Sequence, residues 1–423
     1  MKSSKLLIVC FCAVFAAFFC ASCGKSKQAE GNLRFAWWGG NDRHQATLKV
    51  IALFEERNPG VKIEAEYGGW DGYREKLITQ LAGGTAPDII QIDQPWLHEL
   101  SSMGDVFYTL EGVEGLDTLA FDKQFLDSYC GFDGKLKGLP SGLNGETFLA
   151  NAPLLVSAKV DPYSDWTWDA LFDAGKKVSA LGGGSYLLAI DPALTRDFFK
   201  MYVKQLTGGF IGADKKLSFT TAEAAQALRL FKRLLDEKVL IPFNESSLYR
   251  QKPEENPDWV NGKLGMIHSW ASNQERAGAG VKGLIASPLP VMPLAKDSGV
   301  RVRPSQIITV NNAGKNKALA VKFLNFFFND PDAVEILAIV RGVPPTSTGR
   351  DILAQKNLIA PMVQEAIDIS LANAGKPETV YEMNSELMDI LEDCISKMAF
   401  GKSTPDEAAL EIEVRLTEKL SSL

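Results

Sequence analysis

Four of the eight tryptophans in this 423-residue chain fall in three short segments. Trp37 and Trp38 precede Gly39-Gly40-Asn41-Asp42-Arg43, Trp70 lies in Gly68-Gly69-Trp70-Asp71, and Trp96 follows Asp93-Gln94-Pro95. An indole face is polarizable and apolar, which suits the CH-rich face of a pyranose ring. Neighbouring Asp, Asn, Gln and Arg side chains pair with hydroxyls. Stacking that buries about half of an indole's roughly 150–250 Å² contributes roughly 2–3 kcal/mol at most, at ~25 cal/mol/Å². Two such faces would supply over half of the ~8 kcal/mol behind a micromolar affinity, before association costs. Trp38, Asn41, Asp42, Arg43, Trp70, Asp71, Asp93 and Trp96 are therefore the candidate ligand contacts of this half of the chain. Trp37 sits further inside its strand and reads mainly as packing. The polar members also have ordinary roles. Asp42 and Asp71 stand where helix caps would, Asp93 ends a strand, and Arg43 suits a solvated surface.

Other chemistry finds less support. Asp42, Asp71 and Asp93 on converging loops could imitate the paired carboxylates of a glycoside hydrolase, but one acid would need a raised pKa. His44, His98 and His268 have no ligand spacing with one another or with cysteine, so no metal site is expected. "GLPSGLNGE" matches neither a phosphate loop nor a nucleophile elbow. No catalytic residue and no cofactor is assigned, and a binding protein is expected rather than an enzyme.

The segments are positioned by a repeating unit. "LRFAWW" reads as a strand, and Ala46, Val50, Ile51 and Phe54 recur at helical spacing until Asn58-Pro59-Gly60. "VKIEAEYGG" alternates with period two, Tyr73, Leu77 and Leu81 mark a second helix, and "APDIIQID" is a third strand. This strand, helix, strand, helix, strand order predicts a parallel sheet with right-handed crossovers. Ligands of such sheets bind outside the carboxyl ends of the strands, which is where all three tryptophan segments lie.

Lys2 and Lys5 precede an uncharged apolar run from Leu6 to Phe19, which reads as a secretory signal. Cys20-Ala21-Ser22-Cys23 resembles a bacterial lipobox, and the resemblance implies lipidation of Cys23 after removal of residues 1–22. Residues 23–31 would then form a solvated tether, with more than one acyl chain giving stable anchoring. The expected location is extracytoplasmic, at the membrane surface. Without the two signal lysines the net charge of −7 becomes −9, which disfavours a nucleic-acid partner. With Cys23 acylated, only Cys130 and Cys394 remain as thiols outside the leader, in segments expected to fall in different lobes, so no disulfide framework is expected.

Residues 37–93, "WWGGNDRHQATLKVIALFEERNPGVKIEAEYGGWDGYREKLITQLAGGTAPDIIQID", resemble the extracellular solute-binding proteins of carbohydrate ABC transporters. The similarity continues through "GKLKGLPSGLNGETFLAN", "DWTWDAL", "VNGKLGMIHSWASNQ", "NNAGKNKALAVKFLNFFFNDPDA" and "RGVPPTST". "WWGG" with "GWDGY" is further similar to the branch containing oligogalacturonide binders. The resemblance implies an α/β fold of two lobes with parallel-rich sheets flanked by helices and a ligand cleft between them. Lobe one is expected at 32–143 and 304–346, and lobe two at 144–303 and 347–423. It adds Asn144 on the crossing strand, Trp270 and Asn273 on a second-lobe loop, and Arg341 before the Pro-Pro turn as ligand contacts. Trp166 and Trp168 read as packing around the cap Thr167, and Thr404 and Glu407 as a capping box. The implied partners are a sugar or oligosaccharide and ABC permease subunits, with the chain a monomer. The alternatives are an acidic ligand such as an oligogalacturonide, a sugar sensor without a transporter, or a secreted glycoside hydrolase.

Overall fold

The computed structural model describes residues 31–250 and 252–423; the leader, Cys23 and the tether up to Glu30 lie outside the described residues. Strand β1 (Gly31–Trp38), helix α1 (Asn41–Arg57), strand β2 (Val61–Gly68), helix α2 (Tyr73–Ala82) and strand β3 (Ile89–Ile92) follow in the order read from the sequence. Helix α3 (Gln94–Ser102) comes next. β1 runs parallel to both β2 and β3, so Trp38 lies in register with Gly68 and the three strands end at one edge. Alternation along β1 sends Leu33, Phe35 and Trp37 into a core with α1.

The remaining strands of the two five-stranded sheets are β4 (Gly138–Pro140), β5 (Leu143–Asn151), β6 (Tyr186–Ala189), β7 (Leu264–Trp270), β8 (Leu284–Ser287), β9 (Val302–Pro304) and β10 (Ile307–Val310). The first sheet has the order β2-β1-β3-β10-β4, antiparallel at β10. The second has the order β8-β5-β7-β6, with β9 also on β5, and only β6 with β7 is parallel. Each sheet has its own apolar core, the first closed by Phe323 and Phe327 of helix α5 (Lys317–Asn329) and the second by Phe198 of helix α4 (Thr195–Thr207). Two α/β lobes result. Cys130 and Cys394 are free, buried, and in different cores.

The chain passes between the sheets at residues 140–143 and again at 304–307. The Ser141 N–H donates to Gln306 O at 2.8 Å, and the Ser305 N–H donates to Gly142 O at 2.8 Å. Leu143 exchanges backbone hydrogen bonds with Val343 beside them. Gly342 has φ of 103°, and a Cβ there would stand 2.2 Å from Ser305 Oγ. Only glycine lets these three segments run so close. Helix Ser347–Gln355, placed in the second lobe by the sequence, packs instead against Pro331–Leu337 of the first. Helix α6 (Pro361–Ala372) packs against β5 and β8 of the second sheet.

Candidate functional site

The three tryptophan segments converge as the parallel order requires. Trp38, Trp70 and Trp96 form a triangle of rings, with centroids 5.1 Å apart for Trp38 and Trp70, 5.5 Å for Trp38 and Trp96, and 5.3 Å for Trp70 and Trp96. Tyr73 stacks on Trp96 from the other side at 6.3 Å, and its hydroxyl donates to Gln91 O at 2.8 Å. Burial raises the Tyr73 phenol, which stays protonated. The rings do not share equally in the surface. Trp38 and Trp96 are 8% and 7% exposed, whereas Trp70 is 52% exposed. Trp38 and Trp96 therefore support a single presented face, that of Trp70. Trp37 is fully buried, stacked on Tyr67, with its indole N–H donating to His44 Nδ1 at 3.0 Å.

The polar candidates divide. Asn41 and Asp42 are exposed in the first turn of α1, and Asp71 is exposed beside Gly72. The cap residues of α1 and α2 are Gly40 and Gly72, so neither Asp42 nor Asp71 is a cap, contrary to that ordinary reading. Asp93 caps α3 by accepting from the Gln94 N–H at 3.0 Å. Burial raises the Asp93 carboxyl, opposed by that bond and by the charge of Arg303. Arg43 is used by backbone: its Nε donates to Val340 O and its Nη1 to Trp38 O.

Arg341 does not face the cleft. It is 2% exposed in the first core, donating to Gln91 Oε1 at 2.5 Å and Thr47 Oγ1 at 2.8 Å, and lies over the rings of Phe35 and Phe327. Burial pushes its pKa down to about 9. The Pro-Pro turn that suggested a cleft position runs at the junction of the crossings, which turns Arg341 inward. Through Gln91, whose Nε2 donates to Trp38 O at 3.1 Å, it braces the end of β1.

The second lobe presents a cavity of about 450 Å³ at the carboxyl ends of β6 and β7, lined by Asp191, Asp197, His268, Asn273, Arg276, Arg301 and Arg303 among others. Trp270 lines it but is only 8% exposed, because the guanidiniums of Arg301 and Arg303 lie 4.8 and 4.6 Å from its ring centre. Trp270 is thus a base for arginines rather than an open stacking face. Asn144 Oδ1 accepts from the Ser272 N–H at 3.1 Å, so Asn144 positions the loop that carries exposed Asn273. Under the floor, Arg301 bridges Glu146 at 2.7 Å and Asp197 at 2.8 Å, and Lys200 lies against Asp197 and Glu378. Against the burial that would raise it, Lys200 and Arg301 hold the Glu378 carboxyl well below its ordinary range. His268 is buried with neither ring nitrogen hydrogen-bonded, and burial lowers its pKa against the opposing charges of Glu146 and Asp197.

The sequence reading missed this charged floor. Its available signal was "VRVRP" at 300–304, whose alternation puts Arg301 and Arg303 on one face of a strand. Among the described residues, Asp393, Cys394 and Glu411 are the one group close enough to suggest a metal, and both carboxylates already pair with Arg415. Trp166 and Trp168 are packing residues, donating to Ser287 Oγ and Gln205 Oε1, and Thr404 with Glu407 forms the capping box.

The arrangement can hold a ligand with one apolar face and many polar groups. Residues 49–357 match the family model of bacterial extracellular solute-binding proteins. A putative binding protein of Brucella abortus (strain 2308) is 27% identical over 288 residues, 66% of this chain and 67% of that protein. The arabinooligosaccharide-binding protein of Bacillus subtilis (strain 168) is 23% identical over 247 residues, 56% of each chain. A periplasmic oligogalacturonide binding protein from Yersinia enterocolitica superposes with a TM-score of 0.77 at 28% identity, covering 93% of this chain and 99% of that one.

Proposed function

The chain belongs to the bacterial extracellular solute-binding proteins, and from that membership we propose that it is an extracytoplasmic lipoprotein that captures an oligosaccharide between its lobes and delivers it to an ABC permease. The observation that carries this reading is the half-exposed face of Trp70, backed by Trp38 and Trp96, at the carboxyl edge of a parallel sheet. The second-lobe cavity supplies hydrogen-bonding groups. Relatives named for oligosaccharides include both a neutral and an acidic ligand, so the carbohydrate class is supported while the charge of the ligand is a separate question.

In this reading lobe one comprises 32–143 and 304–346 together with the helix at 347–355, and lobe two comprises 144–303 with the chain beyond 360. The lobes hinge at the adjacent crossings around Gly142, Ser305 and Gly342. Sugar bound first on Trp70 would gain contacts from Asn273 and the cavity on closure, so ligand favours the closed form by its differential affinity. The permease would recognise that form, and acylated Cys23 would keep the protein at the membrane. The test is a melting survey across monosaccharides, neutral oligosaccharides and uronic oligosaccharides. Ligand at about 100 times its Kd adds ~2.7 kcal/mol of stability. A panel without any melting shift refutes the reading. New reducing ends during the same incubations would instead show a hydrolase.

A further inference from the structure

We propose that Arg303 reads a carboxylate on the ligand, so that the preferred sugar is a uronic oligosaccharide; this deepens the carbohydrate reading above and rests on it. The cations near the cleft are otherwise committed. Arg43 serves two backbone carbonyls and Arg341 lies in the core. Arg301 is paired with Glu146, Asp197 and Glu378, Arg276 with Glu254, and Arg196 with Asp389 and Glu392. Arg303 alone of these has neither a carboxylate within ion-pair distance nor a hydrogen-bond acceptor among the described residues, and it is exposed.

Its setting restrains it although it is exposed. β9 pairs Arg303 with Asn144 of β5, which fixes the backbone, and the guanidinium lies 4.6 Å from the ring centre of a covered Trp270. The guanidinium is thereby held against the indole with no hydrogen-bond partner of its own, so its N–H groups can donate to a carboxylate in two parallel hydrogen bonds. Four guanidiniums line the cavity, and with Arg196, Arg276 and Arg301 already paired the charge of Arg303 is the one left without a partner in contact. Closing the lobes over a neutral sugar would remove water from Arg303 and leave it only the more distant carboxylate of Asp93, whereas a uronate supplies one in contact. Asp93, on the opposing lobe, feels the Arg303 charge and is the internal carboxylate with which a ligand would compete.

The experiment measures Kd by calorimetry for digalacturonate and trigalacturonate and for the matching neutral galactose oligomers, at low and high salt. It uses the wild-type protein, Arg303→Gln and Arg303→Lys. The expected result is tighter uronide binding by the wild type, falling with salt. Arg303→Gln should lose about ten- to a hundredfold of uronide affinity with little change for the neutral oligomer, and Arg303→Lys should fall between. Uronide affinity within twofold of wild type in Arg303→Gln overturns the proposal, as does a wild-type preference for the neutral oligomer. In that last case sugar binding stands and only the carboxylate reader fails. Absence of binding by every saccharide overturns both.

Discussion

Replacing Trp70 with alanine separates presentation of a face from support of it. Trp70 keeps 52% of its surface exposed, so of the roughly 200 Å² an indole can bury about 100 Å² remains for a sugar. At ~25 cal/mol/Å² that area contributes at most ~2.5 kcal/mol, and ordering costs on association reduce it to about 1–2 kcal/mol. Trp70→Ala should therefore weaken binding about five- to thirtyfold. Trp70→Phe should recover part of the loss. Stability should fall by only about 1 kcal/mol, since the variant loses ring contacts with Trp38 and Trp96 but opens no cavity. Trp96→Ala removes a buried ring and should cost about 3–5 kcal/mol of stability. Calorimetric titration of whichever saccharide gives the largest melting shift, paired with denaturant unfolding of each variant, measures both quantities. If Trp70→Ala binds within twofold of wild type, the exposed ring is not the docking face and the argument from the aromatic cluster fails.

Gly342→Ala should destabilise the protein by about 2–4 kcal/mol, read from urea unfolding, because it combines a left-handed backbone with a Cβ driven onto Ser305 Oγ. Gly40→Ala, at an ordinary φ with open space around it, should change stability by less than about 1 kcal/mol. Arg341→Met should lower stability by about 1–3 kcal/mol through the unpaired Gln91 carbonyl while leaving the ratio of uronide to neutral affinity unchanged; a changed ratio would place Arg341 in the site after all. Acid should unfold the protein in two stages. His268 and Glu378 both have lowered folded pKa values, so each contributes stability above its ordinary value that is lost on acidification. The His268 stage begins near its ordinary 6.5 and the Glu378 stage near 4.5. His268→Phe should flatten the first stage and Glu378→Gln the second; a melting profile with unchanged slope in either variant contradicts the assignment.

The order β1, α1, β2, α2, β3 and the edge bearing Trp38, Trp70 and Trp96 were legible from residue periodicity alone. Period two and period 3.6 report which face of a strand or helix is buried, and parallel strands must end together. The caps at Thr167 and Thr404 were equally local, since each depends on residues three positions apart. Exposure within the aromatic cluster was not local. Trp38 and Trp96 have the same residue type and similar loop positions as Trp70, yet only the packing of three separate loops leaves Trp70 open. Arg341 and Arg303 show the same limit. Both are arginines near prolines in sequence, but the junction of the crossings turns one into an aromatic core 250 positions from its partner Gln91, and pairing of β9 with the crossing strand β5 holds the other on Trp270. The chain's periodicity determined its elements and the edge that carries the tryptophans, because those follow from burial of neighbouring residues. Which side chain on that edge is free to meet a ligand was decided by contacts between distant segments, because a charge or a ring is available only where no other part of the chain has already covered or neutralised it.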